Sequence, residues 1–441
     1  MNSFRGPFVG NGSSSDDEPT IAMKRTRTQQ PNVSVIAMLK ALIPAALLIL
    51  VVFWINAAHI YGLFRNQGAH VKGARVALAD FDGGDFGHTL RTAAAMNSGK
   101  YGFPTYVSID TVDSDPENIR REVFEGKYWA AIVVQPGASA RFEDALNGTA
   151  TSYDARDVYT YYTLSARYYS LYVPGIQSTT ATIASTAATL FSQEVVAERI
   201  ATGTFANTTA AASALAQPVQ AVSRSAASQD YADLDTKIFI NTLGAILPIL
   251  MQFFFIMAWN GICNGMHLYA GYTLKRHIIS RLFWSITFPC LSSLCVTGWT
   301  LALRGRYHIN ARIFFAYWTV TWVYSMISFD ILDIITGFLP MPFVPFLMIS
   351  WAIFNVAAAL GSPTLLHDWY RVNYFFPSLH WFQTFVTIIT EGAVNRLHYT
   401  LPVLAVWLVV MKALSPLATK HRVRKAKVAF RHLNERNALP V

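Results

Sequence analysis

The sequence predicts a polytopic α-helical membrane protein of six transmembrane helices, one before and five after an external α/β domain inserted between helices 1 and 2. Three observations carry this. The 441 residues are 53% hydrophobic and only 14% charged, against roughly 25% charged in an average soluble chain. Apolar runs of the roughly 20 residues needed to cross a bilayer recur along the chain. A polar block, 65–235, is stranded between two of them.

In chain order, residues 1–40 combine Gly, Ser, Asp, Arg and Thr with little apolar periodicity and read as a disordered cytoplasmic tail. Lys24, Arg25, Arg27 and Lys40 precede the apolar run 41–61. A cleaved signal peptide competes for this run. The run lies far from the N-terminus, is long enough to span and lacks an evident small-residue cleavage site, so it reads as the first transmembrane helix.

The polar block carries 18 acidic and 13 basic side chains, so the excess behind the formal charge of +9 lies elsewhere. It has no cysteine. Cys263, Cys290 and Cys295 fall in or beside apolar segments, and no disulfide framework can hold the block together. Residues 75–82 are a strand pattern stopped by Gly83 and Gly84, 87–96 have helical composition, and 105–109 are a second strand. Asp115 and Pro116 open a helix to about Glu125, one as cap and the other at the first helical position. The run 128–134 is a continuous apolar strand of the kind buried on both faces. A short helix ends near Asn147 and Gly148, and 158–162 form a further strand. Strand alternating with helix predicts a small α/β domain. From Pro174 the Ala, Thr and Ser composition suggests long helices returning to the membrane. Asn147-Gly148-Thr149 and Asn207-Thr208-Thr209 are glycosylation acceptors if the block is lumenal or extracellular.

The five later spans fit within 238–418, at about 238–258, 282–303, 313–332, 340–360 and 399–417. Six spans place both termini on one side. In the tail 419–441, Lys420, Arg422, Arg424, Lys425, Lys427, Arg431 and Arg436 face one acid, Glu435. That pattern fits a cytoplasmic anchor at an anionic leaflet better than a nucleic-acid patch. Lys275, Arg276 and Arg281 agree with this orientation, whereas Arg304, Arg306 and Arg312 oppose it, so the two basic tails decide it. The stretch 374–392 is apolar and aromatic but interrupted by Pro377, His380, Gln383 and Glu391. A seventh span there would separate the tails; a re-entrant or interfacial segment would not.

The stretch 125–136, Glu-Gly-Lys-Tyr-Trp-Ala-Ala-Ile-Val-Val-Gln-Pro, with the strand and turn 76–84 before it, resembles the external domain of the nitrosoguanidine-resistance family of fungal membrane proteins. That family's wider relatives are the bacterial phage-infection-protein group and the permease subunits of type-2 ABC exporters. The layout is similar from about 41 to 417. The resemblance implies a protein of the plasma membrane or an endomembrane that gives resistance to toxic compounds, by export or through effects on lipids. It supplies no catalytic residue and no cofactor. The chain has no G-x-x-x-x-G-K-[ST] phosphate loop, so ATP-driven transport would need a separate ATPase subunit. That subunit, a second copy of the chain as a homodimer and the lipid bilayer are the expected partners, and nucleic acid is not among them. A non-transporting organiser that binds lipids or assembles other transporters is the alternative.

Few residues suggest chemistry, and no enzyme activity, metal or cofactor is expected. Asp80, Asp82 and Gly83 superficially resemble the Asp-x-Asp-Gly nucleophile motif of haloacid-dehalogenase-type phosphatases, and Asp85 would add a third carboxylate for calcium. Turn hydrogen bonds at a strand end explain the same residues more simply. Asp330 and Asp333 lie three apart on one face of the fourth span with Met326 and Gly337. Carboxylates there are costly enough to suggest a proton or cation site; hydration or pairing with a cation such as Lys275 at the cytoplasmic interface is the plainer account. Gln252, Asn260, Asn264 and Asn355 could line a polar path or simply bond between helices. His367, His380 and His398 lack metal spacing. Trp318, Trp322, Trp351, Trp369 and Trp381 read as packing and interface anchors. The loop 260–281, with Tyr269, Tyr272, Lys275, Arg276 and His277, is either the ATPase contact of the related permeases or an amphipathic helix on the headgroups.

Overall fold

The computed structural model describes residues 35–112, 114–168, 173–227, 241–303 and 309–437. Most of the N-terminal tail, the end of the polar block, Arg304 and Arg306 lie outside them. The chain divides inside its first helix, with one unit ending at Leu50 and the other running from Val51.

The polar block folds as strands and helices in the order α2 (Gln67–Val71), β1 (Arg75–Asp80), α3 (Asp85–Asn97), β2 (Thr105–Ile109), α4 (Pro116–Phe124), β3 (Ala130–Val134), α5 (Ala138–Leu146), β4 (Tyr159–Thr163), α6 (Val173–Phe191), α7 (Ala197–Thr202), α8 (Thr209–Ala216) and β5 (Val222–Ser225), after α1 (Val35–Gly62). The local signals act as their chemistry dictates. Asp115 accepts the Asn118 N–H at 2.6 Å with Pro116 at the first helical position, a cap worth about 1 kcal/mol. Gly137 supplies the left-handed turn, φ 69°, from β3 into α5.

The sheet runs β2-β1-β3-β4-β5, with β2, β1 and β3 parallel and β4 reversed against β3. Both faces are covered, which is why β1 and β3 read as continuous apolar runs. Leu78, Ile132 and Val134 face a layer containing Phe86, Phe142, Ile183 and Phe191. Phe86 stacks on Phe191 with centroids 3.9 Å apart. The helix α6 therefore packs back onto the sheet domain, where composition had suggested a return to the membrane. Its Ile183, Ala184 and Ala187 form an apolar stripe covered by the sheet and by α3. Ala77, Ala79, Ala131 and Val133 face the other way and belong to one buried cluster that continues through Tyr168 and Phe382 to Tyr324.

That cluster leads into α9 (Asn241–Gly265), α10 (Leu268–Gly271), α11 (Leu274–Ala302), α12 (Ala311–Phe338), α13 (Val344–Leu360), α14 (Pro377–Ile389) and α15 (Leu397–Asn437). Among the described residues six helices are long and apolar enough to cross a membrane: α1, α9, α11, α12, α13 and α15. The described residues are mostly helical, with one small sheet. On α1, Leu42, Ile43, Leu47 and Leu50 are exposed, as side chains bathed in hydrocarbon would be. Asn56, farther along, donates to Ser350 at 2.8 Å.

Two segments differ in form from simple spans. The 41 residues of α15 extend about 60 Å at 1.5 Å per residue, twice the roughly 30 Å of hydrocarbon. The basic tail is thus the continuation of the last helix. The 13 residues of α14 are too short to cross alone, and Pro377 to Val386 are buried against α12, α13 and α15.

Candidate functional site

The most heavily charged buried place among the described residues lies where α11, α12 and α15 meet. Asp330 and Asp333 are both fully buried on α12. Lys412 Nζ of α15 lies 3.0 Å from Asp330 Oδ2, though it is aligned as a hydrogen bond to Oδ1, at 3.2 Å. It also donates to Ser285 Oγ at 2.7 Å. Asp333 takes two guanidinium groups, Arg281 at short range and Arg422 at 3.1 Å. Arg422 also donates to the Asp333 carbonyl at 2.8 Å and Thr336 Oγ1 at 3.0 Å.

Arg281, on α11, extends the cluster to two further elements, α9 and α10. Its Nη2 donates to Asn260 Oδ1 at 2.7 Å and Tyr269 Oη at 2.6 Å, while the Tyr269 hydroxyl donates to the same Asn260 oxygen at 2.7 Å. Burial pushes the Tyr269 phenol above its ordinary range against the pull of Arg281 and Arg422, so it stays a protonated donor at neutral pH. Close helix packing makes these contacts reachable. A Cβ on Gly337 would stand 3.0 Å from that of Ala418 and 3.3 Å from Arg422 Nη2.

The structure thus unites Asp330, Asp333 and Asn260. Gln252 instead donates to Ser292 at 2.8 Å, and Asn355 to the Trp351 carbonyl at 2.8 Å; neither bonds to a member of the cluster. The partners of the aspartates are Arg281, Lys412 and Arg422, where sequence reasoning had offered Lys275. A signal existed. Lys412, Ser415, Thr419 and Arg422 recur at the three- and four-residue spacing of one helix face, but Lys412 stands inside an apolar run and Arg422 inside a basic tail, which masks the shared face.

Three cations meet two carboxylates that are themselves fully buried. Removing one member of such a set leaves a neighbour uncompensated, at a cost of about 3–5 kcal/mol. Protonating or displacing one group therefore changes which partner each remaining group takes. The loop 260–281 feeds this cluster, with Tyr269 buried against Cys263 and Val423.

The other candidates are held elsewhere. Asp80 accepts the N–H groups of Asp82 at 3.1 Å and Gly83 at 3.0 Å and pairs with Arg91 at 2.7 Å. Asp82 is bonded by the N–H and hydroxyl of Ser139. These are turn and cap bonds, and among the described residues no group of three possible ligands could hold a metal. Asn147 and Asn207 are exposed. A cavity of about 470 Å³ opens between α12, α14 and α15, with Asn310, Arg312, Glu391 and Asn395 beside Ile313 and Ile388; nothing in the sequence pattern marked it.

A protein family described as "Protein of unknown function (DUF3533)" matches residues 45–413. No curated protein and no solved structure matches the chain.

Proposed function

The chain belongs to this family of unknown function, DUF3533, so its role has to be read from its own residues, and we propose that it is a permease-like membrane protein acting in resistance to toxic compounds by export. One span precedes and five follow an external sheet domain, and both termini are cytoplasmic. The observation that supports transport is the buried cluster of Asp330, Asp333, Lys412, Arg281 and Arg422. Ionisable groups deep in apolar helices are expensive and mark pathways or coupling sites by default. In this reading Asp330 and Lys412 are the exchangeable pair, and a proton or a cationic substrate competes with Lys412 for the carboxylate.

A second reading has its own support. Each aspartate already has a cation, which equally suits a static lock in a non-transporting organiser that binds lipids or assembles other transporters. Reconstituted vesicles separate the two. Accumulation of a fluorescent cationic drug should depend on a proton gradient or an added ATPase subunit and should be lost in Asp330→Asn. Cells that keep resistance while vesicles show no flux under either condition would sink the transport reading.

A further inference from the structure

A separate pair of cations lies where the sheet domain meets the helices. Arg167, just beyond β4, is only 7% exposed. Its guanidinium sits 3.6 Å over the Trp129 ring. Of its five donors, only those of Nη1 reach acceptors among the described residues, the carbonyls of Gly126 and Tyr128, both at 3.3 Å. No carboxylate among the described residues pairs with it. Burial, and the charge of another cation beside it, Arg396, push Arg167 down to about 10, still protonated at neutral pH.

Both arginines line one small pocket with Tyr168, Ser362, Gln383 and Val394. Gln383 is 8% exposed; its Nε2 donates to Tyr168 Oη at 3.0 Å, and its Oε1 has no partner among the described residues. Two like charges in one pocket with no counter-charge among the described residues are costly. Their presence together suits an anion as ligand. Arg396 stands immediately before α15, the start of the last membrane-type helix, at the depth where headgroups lie. Phe382, Val386 and Val394 give the same pocket an apolar wall.

We infer that Arg167 and Arg396, with Gln383 and Tyr168, bind a phosphate ester, and that the headgroup of an anionic lipid is the source their position favours. Arginine forks match phosphate oxygens in bidentate fashion. The unpartnered amide oxygen accepts from a hydroxyl of a protonated phosphate or of glycerol. The enclosed space is only about 20 Å³, room for a water, so the phosphoryl group seats at the mouth beside half-buried Arg396. The inference holds whether the protein transports or only organises the membrane.

The full chain in maltoside micelles, titrated with dioctanoyl phosphatidic acid, inorganic phosphate and dioctanoylglycerol and read by native mass spectrometry, provides the test. One phosphatidic acid should bind, dioctanoylglycerol should not, and Arg396→Gln should weaken binding about tenfold or more. Arg167→Gln should do the same. Because Arg167 is buried, the half-exposed Arg396 carries the result if that variant misfolds, and Arg156→Gln on the far surface should bind as wild type. Equal competition by inorganic phosphate would identify free phosphate as the source and keep the site. Binding of phosphatidic acid no tighter than of the neutral lipid, or unchanged in Arg396→Gln, overturns the inference.

Discussion

Lys412 reaches across from α15 to lie 3.0 Å from the carboxylate of Asp330 on α12, with Asp330 fully buried and Lys412 about one-fifth exposed. The asymmetry predicts an order of damage. Lys412→Met leaves a buried carboxylate without its cation and should cost about 3–5 kcal/mol. Asp330→Asn should cost less, because Lys412 keeps Ser285 Oγ at 2.7 Å and a path to solvent. The double variant should recover much of the loss. Thermal unfolding of all four proteins in the same micelles measures the cycle, and additive losses would show that the pair is not coupled.

Arg281→Lys should not be conservative. The planar fork serves Asp333, Asn260 and Tyr269 from one side chain, whereas an ammonium cannot present the same geometry. A loss of about 2–3 kcal/mol is expected from the charge-assisted bonds given up. Arg422→Lys should lose less, since Arg422 sits at the more open edge of the cluster. Equal melting temperatures for wild type and Arg281→Lys would contradict the geometry.

These two predictions mark where the sequence was legible. Hydrophobic length gave six apolar helices, since span length depends on composition alone. Strand alternation, the Asp115 cap and the buried run at 130–134 gave β1 to β4 and their helices. The short β5, only Val222–Ser225, carries no such pattern. The aspartates were visible because carboxylates in apolar runs stand out. Their cations were not, because Lys412 lies 82 residues from Asp330 and Arg422 lies 89 from Asp333, and only packing decides which basic residue a buried acid meets. The pairing of Arg167 with Arg396 was hidden for the same reason.

Gly87→Ala should reverse the usual sign. In an exposed helix the change stabilises by about 1 kcal/mol. At Gly87, on α3, the new Cβ would collide with the Asp80 carboxylate at the end of β1. Either Asp80 gives up the N–H groups of Asp82 and Gly83 and its pair with Arg91, or α3 moves off the sheet. A net loss of about 1–3 kcal/mol is expected. Hydrogen exchange should quicken in β1 and α3 and stay unchanged in α12.

Alkaline pH should weaken the sheet domain. Burial raises the phenols of Tyr106, Tyr153 and Tyr159 above the ordinary 10. A folded-state pKa above the unfolded one gives stability that is complete below pH 10 and lost as pH rises beyond it. Tyr159 also donates to the Phe86 carbonyl at 2.9 Å. Tyr159→Phe should therefore lose about 1 kcal/mol at neutral pH and show a shallower decline from pH 10 to 11. An identical slope in that variant would rule out Tyr159 as a contributor.

The two glycosylation acceptors should be modified together. Asn147 ends α5 and Asn207 precedes the cap of α8, and both are exposed. The segments carrying them touch: the Ala206 N–H donates to the Leu146 carbonyl at 2.6 Å, and a Cβ on Gly148 would stand 2.9 Å from that of Ala206. One patch of the sheet domain therefore presents both asparagines, and whichever side of the membrane it faces, both share it. In a fungal or animal cell expressing the full chain, an external sheet domain predicts a two-glycan mobility shift removed by an endoglycosidase. Asn147→Gln and Asn207→Gln should each remove one step. Failure of both sites, with cytoplasmic labelling of a cysteine introduced at Thr149, would place the sheet domain inside and invert the proposed orientation of every span.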